Sequence, residues 1–493
     1  MFSNYNSLGF NNPYFYLENG TFKIYKNFPE TIANFPEEKK IDPAAVVEMF
    51  NKEFVLGDRT LLQNIKKTPW LAQPNSSLNA WDYDLAPKHG MQNTEEGVVA
   101  KMLFEKIVAE IEQYIGDKKK IGILLSGGMD SRMVAGALDY LIQKGKIGNV
   151  KVTALTWGNS NTRDVVYAER IAKRLHWEWK HYQVTAADLL NNIKEAAING
   201  CEYSPIHLHA MPQIRDDNDL EVILGGSYGD SIGRAEYGGK NVRFLESLLN
   251  NISNVSSLFR QNVYEKTLVD INTDVQTYHQ LFPREEIYMQ NELDYQLHYM
   301  RRMLNPCMDV FNQKMEFYQV FSSPEVYGFM WSLHPEKRND KVYKYMLQEF
   351  VTNLEDIPWA RTGLCYGATN GVPDTYLKRH HTYVGIIQNE ILKDIKSSVL
   401  TEDFKKIGIF RYKSIETLFF LIKHFPINSL YYLEKVIWLA SLAEMIKLYK
   451  INDKEKAADF KFDSDQFSFI VAYSKRYLRN RTGFYLRKLK VIR

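Results

Sequence analysis

Residues 121–140 read IGILLSGGMDSRMVAGALDY, and the fold follows from them. Residues 121–125 are an unbroken apolar run, the pattern of a strand buried on both faces, and from Arg132 onward the apolar residues return at helical spacing. The link between them, Ser126-Gly127-Gly128-Met129-Asp130-Ser131, reads as a six-residue turn suited to phosphate. Its two glycines admit backbone conformations closed to other residues and let N–H groups approach a ligand. The helix behind aims its positive end at the same point. Leu125 leads into the turn, and Ser126 and Ser131 add hydroxyl donors. Asp130 would repel a phosphate unless a cation lay between them, so a magnesium ion bridging Asp130 and phosphate oxygens is expected. Five specified residues in this order arise by chance in roughly one chain in a thousand of this length. The turn lacks the Gly-Lys-Ser/Thr ending of a Walker loop and the GxGxxG of a dinucleotide loop.

Outward from that stretch, strands expected at residues 150–157, 179–184 and 222–224 alternate with helical patterns at 95–115 and 163–175. This alternation predicts an α/β fold, a doubly wound parallel sheet. A nucleotide base would then lie across the ends of adjacent strands, near Thr156 and Gly158, if its phosphates sat at residues 126–131. The strand at 222–224 runs into a second glycine-rich exit, Gly225-Gly226-Ser227-Tyr228-Gly229-Asp230-Ser231-Ile232-Gly233. Asp130 and Asp230, on two strand ends, are the carboxylates expected to share one hydrated magnesium and its diphosphate.

The remainder bounds the function. A chain of 493 residues has room for two domains or one large domain with additions, and 45% hydrophobic with 25% charged residues is ordinary globular composition. A net charge of +3 is too small to imply a nucleic-acid partner. Cys201, Cys307 and Cys365 lack any CxxC spacing, which argues against a zinc ribbon or disulfide framework and for a reducing cytoplasm. The first twenty residues have neither a basic start nor an apolar core, so no signal peptide is expected. No apolar stretch reaches bilayer thickness. His207 and His209, two apart, would face one way on a strand. No carboxylate or cysteine nearby in the sequence completes a ligand set, so zinc is not expected. Asn19-Gly20 predicts a hairpin, and Asp42-Pro43 a capped helix with Val46, Val47 and Phe50 on one face. Residues 475–493 hold eight Lys/Arg and no acid: a solvated end, or a contact with an anionic membrane or acidic partner.

The SGGxDS turn resembles the pyrophosphate loop of the ATP pyrophosphatase superfamily, and the chain is most similar to its asparagine synthetase-like (class B) branch, of adenine nucleotide α-hydrolase-like fold. The similarity runs over about residues 40–450. It is carried by Asp164-Val165-Val166-Tyr167-Ala168 after Gly158, by Glu202-Tyr203-Ser204-Pro205 at the substrate pocket, and by Asp230 at the second metal-binding acid. It continues through Val342-Tyr343-Lys344-Tyr345, and through Arg361 at the lysine of an R-x-K-x-G-F loop. The resemblance implies that Mg-ATP activates a substrate carboxylate as its adenylate, releasing diphosphate, before ammonia or an amine forms the amide. It gives Lys344, with Lys341 as the alternative, the task of stabilising transition-state charge, a task suited to a compact ammonium. Tyr228 is a candidate acid/base group, as a tyrosine is in the β-lactam-forming relatives.

Departures from the family pattern shape the expected chemistry. Gly225 replaces its first serine, and Ser227 replaces the glutamate of the amide-forming step, which loosens the link to aspartate as substrate. Phe2 stands where the family's glutaminase has its cysteine. Residues 1–95 therefore read as a short β-rich glutaminase remnant, residues 96–450 as the synthetase domain with a helical C-terminal part, and 451–493 as a basic tail. Nitrogen would come as free ammonia, as an amine, or from a separate glutaminase, and the substrate is a small-molecule or peptide carboxylate. Two other readings compete: a tRNA-modifying adenylating enzyme of the same superfamily, and an inactive nucleotide-binding scaffold.

Overall fold

Asn19 and Gly20, with φ of 51° and 77°, turn strand β1 (Tyr14–Glu18) into β2 (Thr21–Tyr25) as expected. Two consecutive left-handed residues match the twist of paired strands. The computed structural model describes residues 12–75, 77–230, 239–254, 257–378, 381, 383–451 and 464–488. Phe2 and residues 231–233 of the second glycine-rich exit lie outside the described residues. Strand β3 (Lys66–Lys67) pairs with β1, and β4 (Ala72–Asn75) forms a second hairpin with β5 (Ala80–Tyr83).

Helix α1 (Phe28–Asn34) is followed by α2 (Pro43–Lys52), which begins where the sequence predicts: Asp42 accepts a hydrogen bond from the Ala44 N–H at 2.9 Å and Pro43 fills the first helical position. Val46, Val47 and Phe50 are buried, and so is every other residue from 44 to 50, so burial extends beyond one face. Phe50 lies between the rings of Phe259, Phe410 and Trp438 at 5.2, 5.6 and 5.5 Å, so α2 is wrapped by chain from far downstream. One continuous core joins residues of 14–65 to helices Tyr412–His424 and Leu430–Tyr449. The expected division at residue 95 is therefore not a division of the core.

The central sheet is parallel throughout, in the order β10-β9-β6-β7-β8, from β6 (Lys120–Leu124), β7 (Lys151–Trp157), β8 (Glu178–Tyr182), β9 (Val222–Gly225) and β10 (Glu316–Gln319). Helices α3 (Glu96–Ile115), α4 (Met129–Gln143), α5 (Arg163–Arg174), α6 (Ala186–Ile198) and α7 (Met211–Asp217) supply the crossovers and layers. Ile123, Ala154, Leu224 and Tyr318 face the core formed with α3 and α4. Leu124, Leu155, Ile223 and Phe317 face an opposite one with Met211 and Ile214. Burial on both faces is why central β6 and β9 read as apolar runs, whereas edge strand β8, with the sequence EWKHY, is only partly buried. Strand β10 is too short to show a period in the sequence and was not expected. The chain winds from β6 to β8, then returns across to β9, so the direction reverses between β6 and β9. In open α/β sheets the crevice at such a reversal is where ligands bind.

Candidate active site

Helix α4 starts earlier than its apolar spacing suggests. Gly128 is the N-cap and Met129 the first helical residue, so Asp130 and Ser131 belong to the first turn rather than to the link. Among the described residues no side chain caps α4, and the positive end of its backbone dipole faces the turn. Neither Gly127 nor Gly128 has a positive φ; what the turn needs from Gly127 is room. A Cβ on Gly127 would stand 2.9 Å from both the Ala360 Cβ and the Arg163 carbonyl oxygen. The Ala360 N–H donates to the Gly127 carbonyl at 3.1 Å. The serines brace the turn, with the Gly128 N–H donating to Ser126 Oγ at 3.1 Å and the Ser126 N–H to Ser131 Oγ at 3.2 Å.

The two glycine-rich exits meet. A Cβ on Gly226 would lie 3.0 Å from the Ser131 nitrogen, and one on Gly229 would lie 2.5 Å from Asp130 Oδ1. The Asp130 carboxylate thus rests on the backbone immediately before Asp230. Beside this contact is a cavity of about 260 Å³, lined by the predicted residues Leu125, Ser126, Gly128, Asp130, Ser131, Thr156 and Gly226. Thr156 donates to the Leu125 carbonyl at 2.8 Å and accepts from Trp179 Nε1 at 3.1 Å, which fixes the β6 and β7 ends relative to each other.

Ser227, at the family's glutamate position, also lines the cavity, together with walls that the sequence reading did not assign: Leu124, Trp157, Asp164 and Met308. Asp164, in the first turn of α5, faces the same space as Asp130, whereas Asp230 is not among the lining residues; the place of Asp164 in the D-x-x-Y-A pattern was the available signal. Nothing in the sequence marks Met308. Its sulfur receives the Gln319 amide at 2.7 Å, while Gln319 Oε1 accepts the Ser227 N–H at 3.2 Å. The buried Gln319 of β10 thereby holds the second exit in place.

Other predicted residues fall elsewhere. Gly158 is outside the cavity lining and serves the strand end: its φ is 126°, its N–H donates to Tyr182 O at 3.0 Å, and its carbonyl accepts from His181 Nε2 at 2.7 Å. Gly225 gives room to Gln319, whose Oε1 would be 2.6 Å from an added Cβ. Gly127 is buried under Ala360. Tyr228 is not an acid/base group of the cavity. It is fully buried in the core, donates to the Met300 carbonyl at 2.9 Å, and burial holds its phenol well above the usual range. Lys344 is exposed on helix Asp340–Glu349, with its Cδ 3.2 Å from where a Gly367 Cβ would stand, and does not line the cavity.

The loop carrying Arg361 is closer to the chemistry. Arg132, directly after the phosphate turn, is buried and donates to Ile357 O at 2.6 Å and Pro358 O at 2.8 Å. Burial brings its guanidinium down to about 10. Two residues on, Ala360 bonds to Gly127, so exposed Arg361 follows the contact directly. The same segment is strapped over α5 through Arg163 and Asp374 at 3.1 Å and through the Tyr167–Asp374 bond.

Glu202 and the two histidines are placed by the fold in ways that sequence spacing does not show. Glu202 is buried and paired with Arg302 at 2.7 Å, so it is closed off from an open substrate pocket. His207 and His209 sit on a 3-10 turn and its end, not a strand. Carboxylates do approach His207, through folding rather than sequence: Glu434 lies 2.8 Å away, and Glu53 completes a group whose ligand atoms lie within 4.8 Å of one another. His209 stacks on Trp157 of the cavity wall at 5.3 Å.

The reversal in strand order and the meeting of two glycine-rich strand exits beside one cavity define an α/β protein of the doubly wound class, in which ligands bind at such a crevice. Residues 111–356 match the asparagine synthase family, a span that takes in all five strands of the central sheet and both glycine-rich exits. The chain belongs to that asparagine synthetase-like family, whose members are ATP-using, amide-forming ligases. A search of curated proteins returned no match. Among the described residues, no helix is long and apolar enough to cross a membrane.

Proposed function

We propose that this protein is an AMP-forming amide ligase: it adenylates a substrate carboxylate with ATP and passes the activated acyl group to ammonia or an amine. The carboxylate oxygen attacks the α-phosphate of ATP and the bond to the β-phosphate breaks, releasing diphosphate. The nitrogen nucleophile then displaces AMP and loses a proton. The observation that carries this reading is the contact of Gly226 and Gly229 with Ser131 and Asp130, which brings the acid-bearing ends of β6 and β9 together beside one cavity.

In this reading the first-turn N–H groups of α4 and the hydroxyls of Ser126 and Ser131 hold the departing diphosphate, and the β7 end at Thr156 and Trp157 meets the base. The donor set suits a hard divalent cation, because Asp130 and Asp164 line the cavity and Asp230 directly follows the glycine touching Asp130. Asp130 and Asp230 would hold magnesium, whose charge offsets that of the phosphates when bound. Of the three cations that the family resemblance offers, Arg361 is supported by its neighbour's bond to Gly127, whereas Lys344 and Lys341 rest on the resemblance alone. Ser227 lines the cavity in place of the family glutamate and leaves uncharged space for a carboxylate other than aspartate. Cys201, Cys307 and Cys365, all unpaired, favour the cytoplasm as the compartment.

Diphosphate and AMP release, measured with ATP, magnesium, ammonia and a panel of small and peptidyl carboxylates, tests the proposal. Asp130→Asn is expected to lower turnover by about 100-fold or more with the unfolding midpoint preserved. AMP formation that requires RNA would favour the tRNA-modifying alternative. ATP binding without AMP formation from any carboxylate or RNA would make the protein a scaffold.

A further inference from the structure

The last described element, helix Ser464–Lys488, has two apolar faces where docking needs one. Phe469 and Tyr473, each 1% exposed, attach it to the body. Tyr473 stacks on Tyr432 at 4.9 Å and donates to the Phe425 carbonyl at 2.9 Å, and Tyr477 meets the Phe425 ring at 5.8 Å. Arg476 lies 3.5 Å over the Tyr431 ring and closes that side. Phe467, Val471 and Leu478 are spaced by four and seven residues, so they share the other face. Phe467 and Leu478 are each 62% exposed. About the helix axis, exposed Lys475 and Arg479 border that outer stripe on one side and exposed Arg481 on the other.

Charge is also segregated along the sequence. Residues 475–493 hold eight Lys/Arg and no acid, leaving 54 cationic residues against 59 acidic ones in the remainder, so a net-acidic body carries a basic end. A merely solvated helix has no need of an exposed apolar stripe between basic borders. An interfacial helix needs both, the stripe to enter the headgroup–acyl boundary and the cations to meet anionic lipid. We propose that the outer face of helix Ser464–Lys488 docks the protein peripherally on an anionic lipid bilayer. The helix lies in the interface and does not span it. Its attachment through Tyr473 and Arg476 carries the whole body to the surface.

Co-flotation of the full chain with vesicles tests this, using phosphatidylcholine alone and phosphatidylcholine with about one-third phosphatidylglycerol, over a range of salt. Binding is expected only to the anionic vesicles and to weaken as salt rises. The triple variant Lys475→Glu, Arg479→Glu, Arg481→Glu is expected to bind about 100-fold more weakly, and Leu478→Ser about 10-fold. These side chains are exposed, and an unchanged unfolding midpoint verifies the fold. Equal partition to neutral and anionic vesicles, unchanged binding by the triple variant, or binding to polyglutamate with none to vesicles would each overturn the proposal. The last result would mark an acidic protein as the partner.

Discussion

Gly229→Ala isolates the contact on which the site depends. A methyl group there would stand 2.5 Å from Asp130 Oδ1, 2.6 Å from its Cγ and 2.7 Å from its Cβ. Ordinary carbon contacts begin near 3.4 Å. The carboxylate, or the β9 exit carrying Asp230, must therefore move by roughly 1 Å, and rotation of Asp130 alone gives no relief because its Cβ is also too close. A displacement of about 1 Å in a reacting constellation costs on the order of 100-fold in rate. Gly97→Ala is the matched control: it lies in α3 with nothing within 4 Å of the added carbon. That change should stabilise by up to about 1 kcal/mol, since alanine loses less backbone entropy in a helix. The assay is diphosphate release as a function of magnesium, alongside urea unfolding of each variant. Gly229→Ala should lose about 100-fold in kcat and need more magnesium for half-saturation, while Gly97→Ala keeps both. Wild-type turnover and magnesium dependence in a folded Gly229→Ala protein would refute the argument that Asp130 and the β9 exit act as one unit.

Two further outcomes concern residues set in the core. Tyr228→Phe removes only the bond to the Met300 carbonyl, so it should lower stability by about 1 kcal/mol in denaturant titration and leave kcat unchanged. A large fall in kcat with little change in stability would restore the tyrosine to the chemistry. Burial lowers the Lys67 ammonium from 10.5 to about 8. Between those values the unfolded chain binds the extra proton, so the cost of burying the charge is fully present below pH 8 and fades as pH rises to 10.5. Lys67→Met should flatten the rise in stability across that window, worth at most about 3 kcal/mol by linkage, in urea midpoints taken at several pH values.

What was legible in the sequence is what depends on neighbours along the chain. The strand–turn–helix at residues 121–140, the Asn19-Gly20 hairpin and the Asp42 cap are local, and steric and hydrogen-bonding rules fix them within a few residues. Both glycine-rich exits were legible for the same reason, and alternating strands and helices implied the parallel sheet that puts their ends side by side. Only the tertiary structure decided which faces those residues present. Tyr228 differs from Ser227 by one position, yet it turns into the core while Ser227 lines the cavity. Gly127 was legible as a loop glycine, but the need for it comes from Ala360, more than two hundred residues later. Glu434 and Glu53 reach His207, and Gln319 steadies the β9 exit, through contacts no sequence spacing encodes. Local backbone preference writes the elements into the sequence, whereas the company each side chain keeps is set when distant segments exclude water from between them.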